Sequence, residues 1–319
     1  MINRIKGQLQ KFIGLQETYP TFTKELARYS EHINRNSSFS SRAEIDIIMP
    51  TFNRVSVTKR CIENLLKTTK VKFNLIIIDN NSDSKTKTYL KSIVSKQIKV
   101  IFLSNNLGGS GSRMEGLKFA STDYVAFVDN DIYTMPFYFE NLIKTLDENI
   151  DISAVQSKVI YPNKLIQVNR PTFTIEEDWI TFNDKDLDKS YKDNESETSE
   201  LINWLPSGAT LWRKSVFENE GFDLDFNTSY EDNDFSYSLH QKGYKFMNNH
   251  KAICLHLSSQ FTPSSVSDVY TKGRFDKGIV INSLKQFKKK HGLYLSFGDK
   301  EKFAKYMGFE SSKELTNSL

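Results

Sequence analysis

EIDIIMPTFNR (residues 44–54), FNLIIIDNNSDS (73–84), KVIFLSNNLGGSGSR (99–113) and YVAFVDND (124–131) repeat one arrangement, a short apolar run that ends in a polar loop. The segments between them carry apolar residues at helical spacing: Val57, Cys61, Leu65 and Leu66 in the first, KTYLKSIVS (87–95) in the second and MEGLKFAS (114–121) in the third. Unbroken apolar runs of strand length that alternate with helices are what strands buried on both faces require. The pattern therefore predicts an α/β fold built on a doubly wound, mostly parallel sheet flanked by helices. Ligands bind such sheets beyond the carboxyl ends of the strands, and the loops TFNR, DNNSDS, NNLGGSGSR and DNDIY all fall on that edge.

Composition narrows the class. The chain has 319 residues, 38% hydrophobic and 26% charged, with 14 Gly, 7 Pro and 2 Cys, which excludes a collagen, a disulfide scaffold and wholesale disorder. No apolar run approaches the roughly 20 residues of a spanning helix, and the N-terminus MINRIKGQLQ lacks the apolar core of a secretory signal. Cys61 and Cys254 sit in apolar segments, as buried reduced thiols do, which fits a cytoplasmic protein. The net charge of +4 is uneven: residues 176–200 hold 3 Lys/Arg against 10 Asp/Glu, and residues 260–319 hold 11 against 6. No nucleic-acid-binding signature accompanies the basic residues, so nucleic acid is not an expected partner.

Three regions follow. Residues 1–43 read as a helical leader (Ile5, Leu9, Phe12, Ile13) with the linker NRNSSFSSR, residues 44–259 as the main domain, and 260–319 as a basic helical extension. The acidic stretch 176–200 reads as a solvated loop. In the extension, Leu284 and Phe287 beside Lys285 and Lys288 to Lys290 have two readings. One is a peripheral contact, through 284–291, with the anionic inner face of the cell membrane. The other is a cationic face packed on the catalytic domain or on a second copy of the chain in a homo-oligomer.

The loops carry chemistry. Asp129 and Asp131 flank Asn130 at a strand end, where paired carboxylates can share a hard divalent cation with substrate phosphates; the same triplet also arises by chance in loops. Asp79 ends a second strand and can accept hydrogen bonds from a base or ribose, or cap a helix, although Ser82 or Asp83 can do that instead. In Asn106 to Arg113, Gly108 and Gly109 let backbone N–H groups approach a phosphate, and Arg113 adds a forked cation. The loop is neither a Walker A motif nor a dinucleotide fingerprint, so a nicotinamide enzyme is disfavoured.

Six motifs in order, Pro50 to Arg54, Asp79 to Ser82, the NNLGGSGSR loop, Asp129-Asn130-Asp131, Leu205 to Ala209 and Tyr230 to Phe235, make residues 44–257 resemble family 2 glycosyltransferases of the GT-A fold, nearest the galactofuranosyl- and rhamnosyltransferase-like branch. The resemblance implies an inverting, nucleotide-sugar-dependent enzyme. Thr51, Phe52, Asn53, Arg54 and Asp79 would hold the nucleoside, and Arg113 would lie near the base or diphosphate. Asn81, Asn106, Gly108, Gly109, Asp129 and Asn130 would complete the donor site. Asp129, Asp131 and His256 would hold Mn²⁺ or Mg²⁺, and Asp232, with Glu231 beside it, would be the catalytic base. The chemistry agrees: inverting transfer needs a base for the acceptor hydroxyl and a cation for the departing diphosphate. Glu231, Asp232 and Asp234 also suit a helix N-terminus, and neighbouring acids raise one another's pKa. His256 can equally be a satisfied imidazole on a core strand. Trp204, ahead of Ser207 and Gly208, can stack on an acceptor sugar or fill the core.

The leading expectation is transfer of a sugar from a UDP- or dTDP-linked donor to a hydroxyl of a glycan or lipid-linked glycan. A sugar nucleotidyltransferase is the first alternative, but PTFNR lacks the glycines it would need after its first strand. The second, an inactive sugar-binding protein, predicts decayed acidic motifs, and these are intact.

Overall fold

The computed structural model describes residues 21–39, 43–193, 199–226, 229–257 and 277–319. Helix α1 spans 21–34, and the Ile5 to Ile13 spacing lies outside the described residues. The predicted alternation follows: β1 (Glu44–Thr51), α2 (Val55–Thr68), β2 (Lys72–Asp79), α3 (Ser84–Ser92), β3 (Ile98–Phe102), α4 (Gly108–Leu117) and β4 (Tyr124–Val128). Parallel pairing of β1 with both β2 and β4, and of β2 with β3, aligns the four strand ends on one rim. Ile45, Ile47, Ile48 and Met49 are all fully enclosed, so β1 is covered on both faces. A Cβ on Gly116 would overlap the Ile48 side chain, so a glycine there lets α4 lie close on β1.

The sheet continues through β5 (Ile132–Thr134), α5 (Tyr138–Glu148), β6 (Ile152–Ile160), β7 (Ile166–Val168), β10 (Leu201–Ile202), β11 (Ala209–Arg213), α6 (Glu231–Gln241) and β12 (Lys245–His256). Its order is β10-β12-β6-β11-β4-β1-β2-β3, with β5 on β12 and β7 on β6. Strand β11 runs antiparallel between β4 and β6, while β6 and β12 are parallel. This is the mixed, mostly parallel sheet of a GT-A-like fold.

The acidic stretch 176–200 is not simply a loop. Its first third completes a hairpin, β8 (Pro171–Glu176) and β9 (Trp179–Asp184), to which β13 (Tyr294–Phe297) adds in parallel. Phe173, Trp179, Ile180 and Phe182 are buried there, and the acids Glu176, Glu177 and Asp178 occupy the exposed turn end. Helix α7 (Lys277–His291), α8 (Lys300–Tyr306) and α9 (Ser312–Ser318) pack on this small sheet. Leu284 and Phe287 belong to that second core, which is the packed alternative for the basic segment; Lys285 and Lys289 are exposed. Helix α1 docks through Phe22 and Leu26, and Ser30 Oγ donates to the Pro136 carbonyl at 2.7 Å. Both cysteines are free and buried. Among the described residues, no helix is long and apolar enough to cross a membrane.

Candidate active site

The first rim loop turns on two consecutive left-handed residues, Asn53 (φ 55°) and Arg54 (φ 57°). Asn53 is fixed on both sides: its N–H donates to Ser82 Oγ (2.8 Å) and its Oδ1 accepts from the Asp83 N–H (2.7 Å). Thr51 is enclosed at the end of β1, and Phe52 is half-buried. The Asp83 carboxylate caps α3 by accepting from Thr86 N–H at 2.8 Å, so Asp79 is not the helix cap. Asp79 is fully enclosed; burial pushes its carboxyl up, partly offset by the Ser82 hydroxyl and N–H. Asn81 (φ 62°) accepts from Lys87 Nζ on the exposed side.

Asn80, which sequence reasoning passed over, joins two loops. Its Nδ2 donates to Gly108 O (3.0 Å), and its Oδ1 accepts from Leu107 N–H (2.7 Å). Asn106 Oδ1 accepts from Gly108 N–H, and Gly108 adopts φ 72°, a conformation that favours glycine. A Cβ on Gly109 would stand 2.9 Å from Arg113 Nη1 and 3.6 Å from Glu231 Oε1, so this glycine lets the loop close over both.

Two ion pairs hold the acidic triplet. Arg113, enclosed on α4, donates through Nη2 to Asp129 Oδ1 at 2.6 Å. Burial opposes its charge, but Asp129, Asp232 and Glu231 outweigh burial and raise its pKa. Arg54 donates through Nη1 to Asp131 Oδ2 (2.7 Å) and through Nη2 to Leu257 O. His256 Nε2 lies 3.4 Å from the same Asp131 oxygen. Burial alone would raise the Asp131 carboxyl, yet His256 and Arg54 hold it well below the usual range. Asn130 turns away and donates to Thr58 Oγ1.

Whether these groups suit a divalent cation turns on His256. Its Nδ1 faces Gln167 Oε1 at 2.7 Å, a contact that an Nδ1–H tautomer makes as donor to the amide oxygen. In a neutral ring the Nε2 lone pair then points at a carboxylate oxygen, which a metal ion satisfies, as does the second proton of an imidazolium. Among the described residues, no group of three or more His, Cys, Asp or Glu converges as a complete cage. A two-ligand protein set matches Mg²⁺-type sites that substrate phosphates complete. Asp129 is held by Arg113 as Asp131 is by Arg54.

The acids of α6 face three ways. Ser207 Oγ donates to Asp232 Oδ1 in a short hydrogen bond, Glu231 lies in the field of Arg113, and Asp234 is buried against α7, where Lys290 Nζ (2.9 Å) and His291 Nε2 (2.7 Å) reach it. Gly208 O accepts from Asp129 N–H at 2.9 Å, so residues 207–208 link the triplet to α6. Trp204 lies in the second core beside Phe182, its indole N–H donating to Asn183 O, rather than standing on an open face. Gln167 carried no sequence signal, and for Lys290 and His291 the sequence offered a packed basic face but not Asp234 as the partner, which only tertiary packing supplies.

A mostly parallel sheet with the Asp129-Asn130-Asp131 triplet after strand β4 and an acidic helix at α6 is the arrangement of a GT-A-like fold. The chain belongs to glycosyl transferase family 2, whose model matches residues 46–217, just over half of it. It is 27% identical over 123 residues to a UDP-Glc:alpha-D-GlcNAc-diphosphoundecaprenol beta-1,3-glucosyltransferase of Escherichia coli, covering 38% of this chain and 49% of that protein. It is 30% identical over 121 residues to an uncharacterized glycosyltransferase of Methanocaldococcus jannaschii, covering 37% and 42% respectively. The chain thus spans under half the length of these relatives. A crystal structure of GalNAc-T7 with UDP, GalNAc and Mn²⁺ superposes with a TM-score of 0.56 at 14% identity, covering 87% of this chain and 56% of that one, which is a likeness of fold.

Proposed function

We propose that the protein is an inverting, metal-dependent glycosyltransferase that moves a sugar from a UDP- or dTDP-linked donor to a hydroxyl of a glycan or lipid-linked glycan. One observation carries the reading: Arg113 with Asp129, Asp131 with His256, and Asp232 come from different elements to one rim. In this reading Asp79 and the Thr51 to Arg54 loop hold the nucleoside, helped by Asn81 and the Asn106 to Gly109 loop, and the Arg113 fork faces the diphosphate. Asp131 and His256 would hold Mn²⁺ or Mg²⁺, which when bound offsets charge on the leaving diphosphate. Asp232 accepts the acceptor hydroxyl proton as that oxygen attacks the anomeric carbon from the face opposite the diphosphate. Its hydrogen bond from Ser207 orients the carboxylate, and Ser207 and Gly208 border the acceptor. Residues 44–259 would carry this chemistry, flanked by 1–43 and by 260–319.

The UDP and Mn²⁺ in GalNAc-T7 and the lipid diphosphate in the name of the Escherichia coli relative support the donor, metal and acceptor classes. The Asn-x-Gly-Gly-x-Gly pattern from Asn106 to Gly111 supports the galactofuranosyl- and rhamnosyl-transferring branch. The test is a donor-hydrolysis screen across UDP- and dTDP-sugars with Mn²⁺ and with EDTA, run on the natural chain and on Asp232→Asn. Metal-dependent turnover is expected in the first, and donor binding without turnover in the second. Undiminished turnover by Asp232→Asn would remove Asp232 from the mechanism.

A further inference from the structure

We propose that the cavity between the end of α1, helix α5 and the bulge of β12 is a second anion site, which takes the phosphate group of a soluble phosphate monoester. The cavity holds about 430 Å³, and His32, Arg35, Lys144, His250 and Lys251 line it. None of these residues belongs to the rim described above, and His250 sits six positions before His256 on the same strand.

The site is built rather than incidental. Pairing of β12 with β6 shifts register between Asn249 and Ile253, which marks a bulge. An asparagine network fixes that bulge. Asn249 Oδ1 accepts from the N–H groups of Lys251 and Ala252, and Asn249 Nδ2 donates to Thr145 Oγ1 at 2.8 Å. Asn34 and Asn141 both donate to the Lys251 carbonyl. With the backbone polar groups so occupied, the side chains of His250 and Lys251 are left to the cavity.

His250 is only 6% exposed, and its Nδ1 is enclosed without a hydrogen-bond partner. Burial, with the charges of Lys251 and Lys158, holds its pKa down to about 4, so the ring is neutral near neutral pH. An enclosed polar nitrogen with no partner is destabilising, and it stands among cationic side chains. Lys144 meets Glu148 only at 3.8 Å, and no ion pair of Arg35 or Lys251 occurs among the described residues. An apolar or cationic ligand would leave that imbalance in place. A phosphate supplies several acceptor oxygens and two negative charges, matching the Arg35 fork, two ammonium groups and an imidazole N–H.

The experiment is a histidine-selective NMR titration of the full chain with inorganic phosphate and with glycerol 3-phosphate, against chloride at matched ionic strength. The expected result is a saturable shift of the His250 ring resonances at millimolar phosphate or ester and none with chloride, with about tenfold weaker binding in Arg35→Ala/Lys251→Ala. Arg35 is exposed, so that variant keeps the fold, which the unchanged resonances of His240, His256 and His291, outside the cavity, report. No His250 shift up to tens of millimolar phosphate would overturn the proposal. An equal shift in the double variant would do the same. The readout needs no turnover, so it stands apart from the transferase reading.

Discussion

His291 Nε2 lies 2.7 Å from Asp234 Oδ1, and both side chains are almost wholly enclosed. The pair ties α7 to the first turn of α6, two residues from Asp232, and Lys290 Nζ bridges the other Asp234 oxygen to Asp223. Removing a partner from a buried carboxylate leaves it underbonded, at about 2 kcal/mol for a bond to a charged group. His291→Ala is expected to lower unfolding free energy by about that amount in urea titration. Because α6 loses one of its two ties to α7, kcat should fall more than the donor KM changes.

Gly208 gives a steric test of the rim. A Cβ there would stand 2.5 Å from Asp129 Oδ2, so the carboxylate must rotate away and its ion pair with Arg113 must lengthen. Gly208→Ala is expected to weaken UDP binding about tenfold by calorimetry, the loss of one well-placed charged contact, with the far-ultraviolet circular dichroism unchanged.

Arg113→Lys keeps the charge but loses the fork. The guanidinium is 4% exposed and faces Asp129, Asp232 and Glu231 together, which a single ammonium on a shorter reach does not reproduce. Donor affinity should fall about tenfold or more. Retained affinity in Arg113→Lys would show that the fork does not engage the diphosphate.

Asp186 sets a pH dependence away from the rim. Burial raises its carboxyl, but the Arg170 fork (2.6 Å at Nε and at Nη2), with Asn169 and Lys189, overrides burial and holds it to about 2. A carboxyl depressed in the folded state stabilises above its unfolded value near 4, and that stability is lost as pH falls from there toward 2. The amount is about 2 kcal/mol. Denaturant titrations between about pH 5 and pH 2 should show the natural chain losing this much more than Asp186→Asn.

The four strands β1 to β4 were legible because strands buried on both faces must be apolar throughout, as Ile45 to Met49 and Leu75 to Ile78 are. Their loops were legible because a parallel sheet places every strand end on one edge. The hairpin β8–β9 was misread as a loop: its turn is acidic, and its buried Phe173 and Phe182 face a core completed by residues more than a hundred positions later. The same distance hid Asp234 as the partner of Lys290 and His291. Trp204 shows the opposite difficulty, since an aromatic beside a glycine turn has the same sequence whether its ring is open or enclosed.

The parallel pairing of Tyr294–Phe297 with Trp179–Phe182 has a consequence for how the protein comes into being. A ribosome delivers the central sheet and the acidic helix first, while Lys290, His291 and the third strand of the small sheet emerge only after them. Until then Asp234 has neither Lys290 nor His291 beside it, and the apolar faces of β8 and β9 lack their cover, a state in which nascent chains recruit chaperones. The arrangement delays the finished packing of the acidic helix until residues 290–297 have been made, so a chain ended before residue 290 has an acidic helix without its α7 partners.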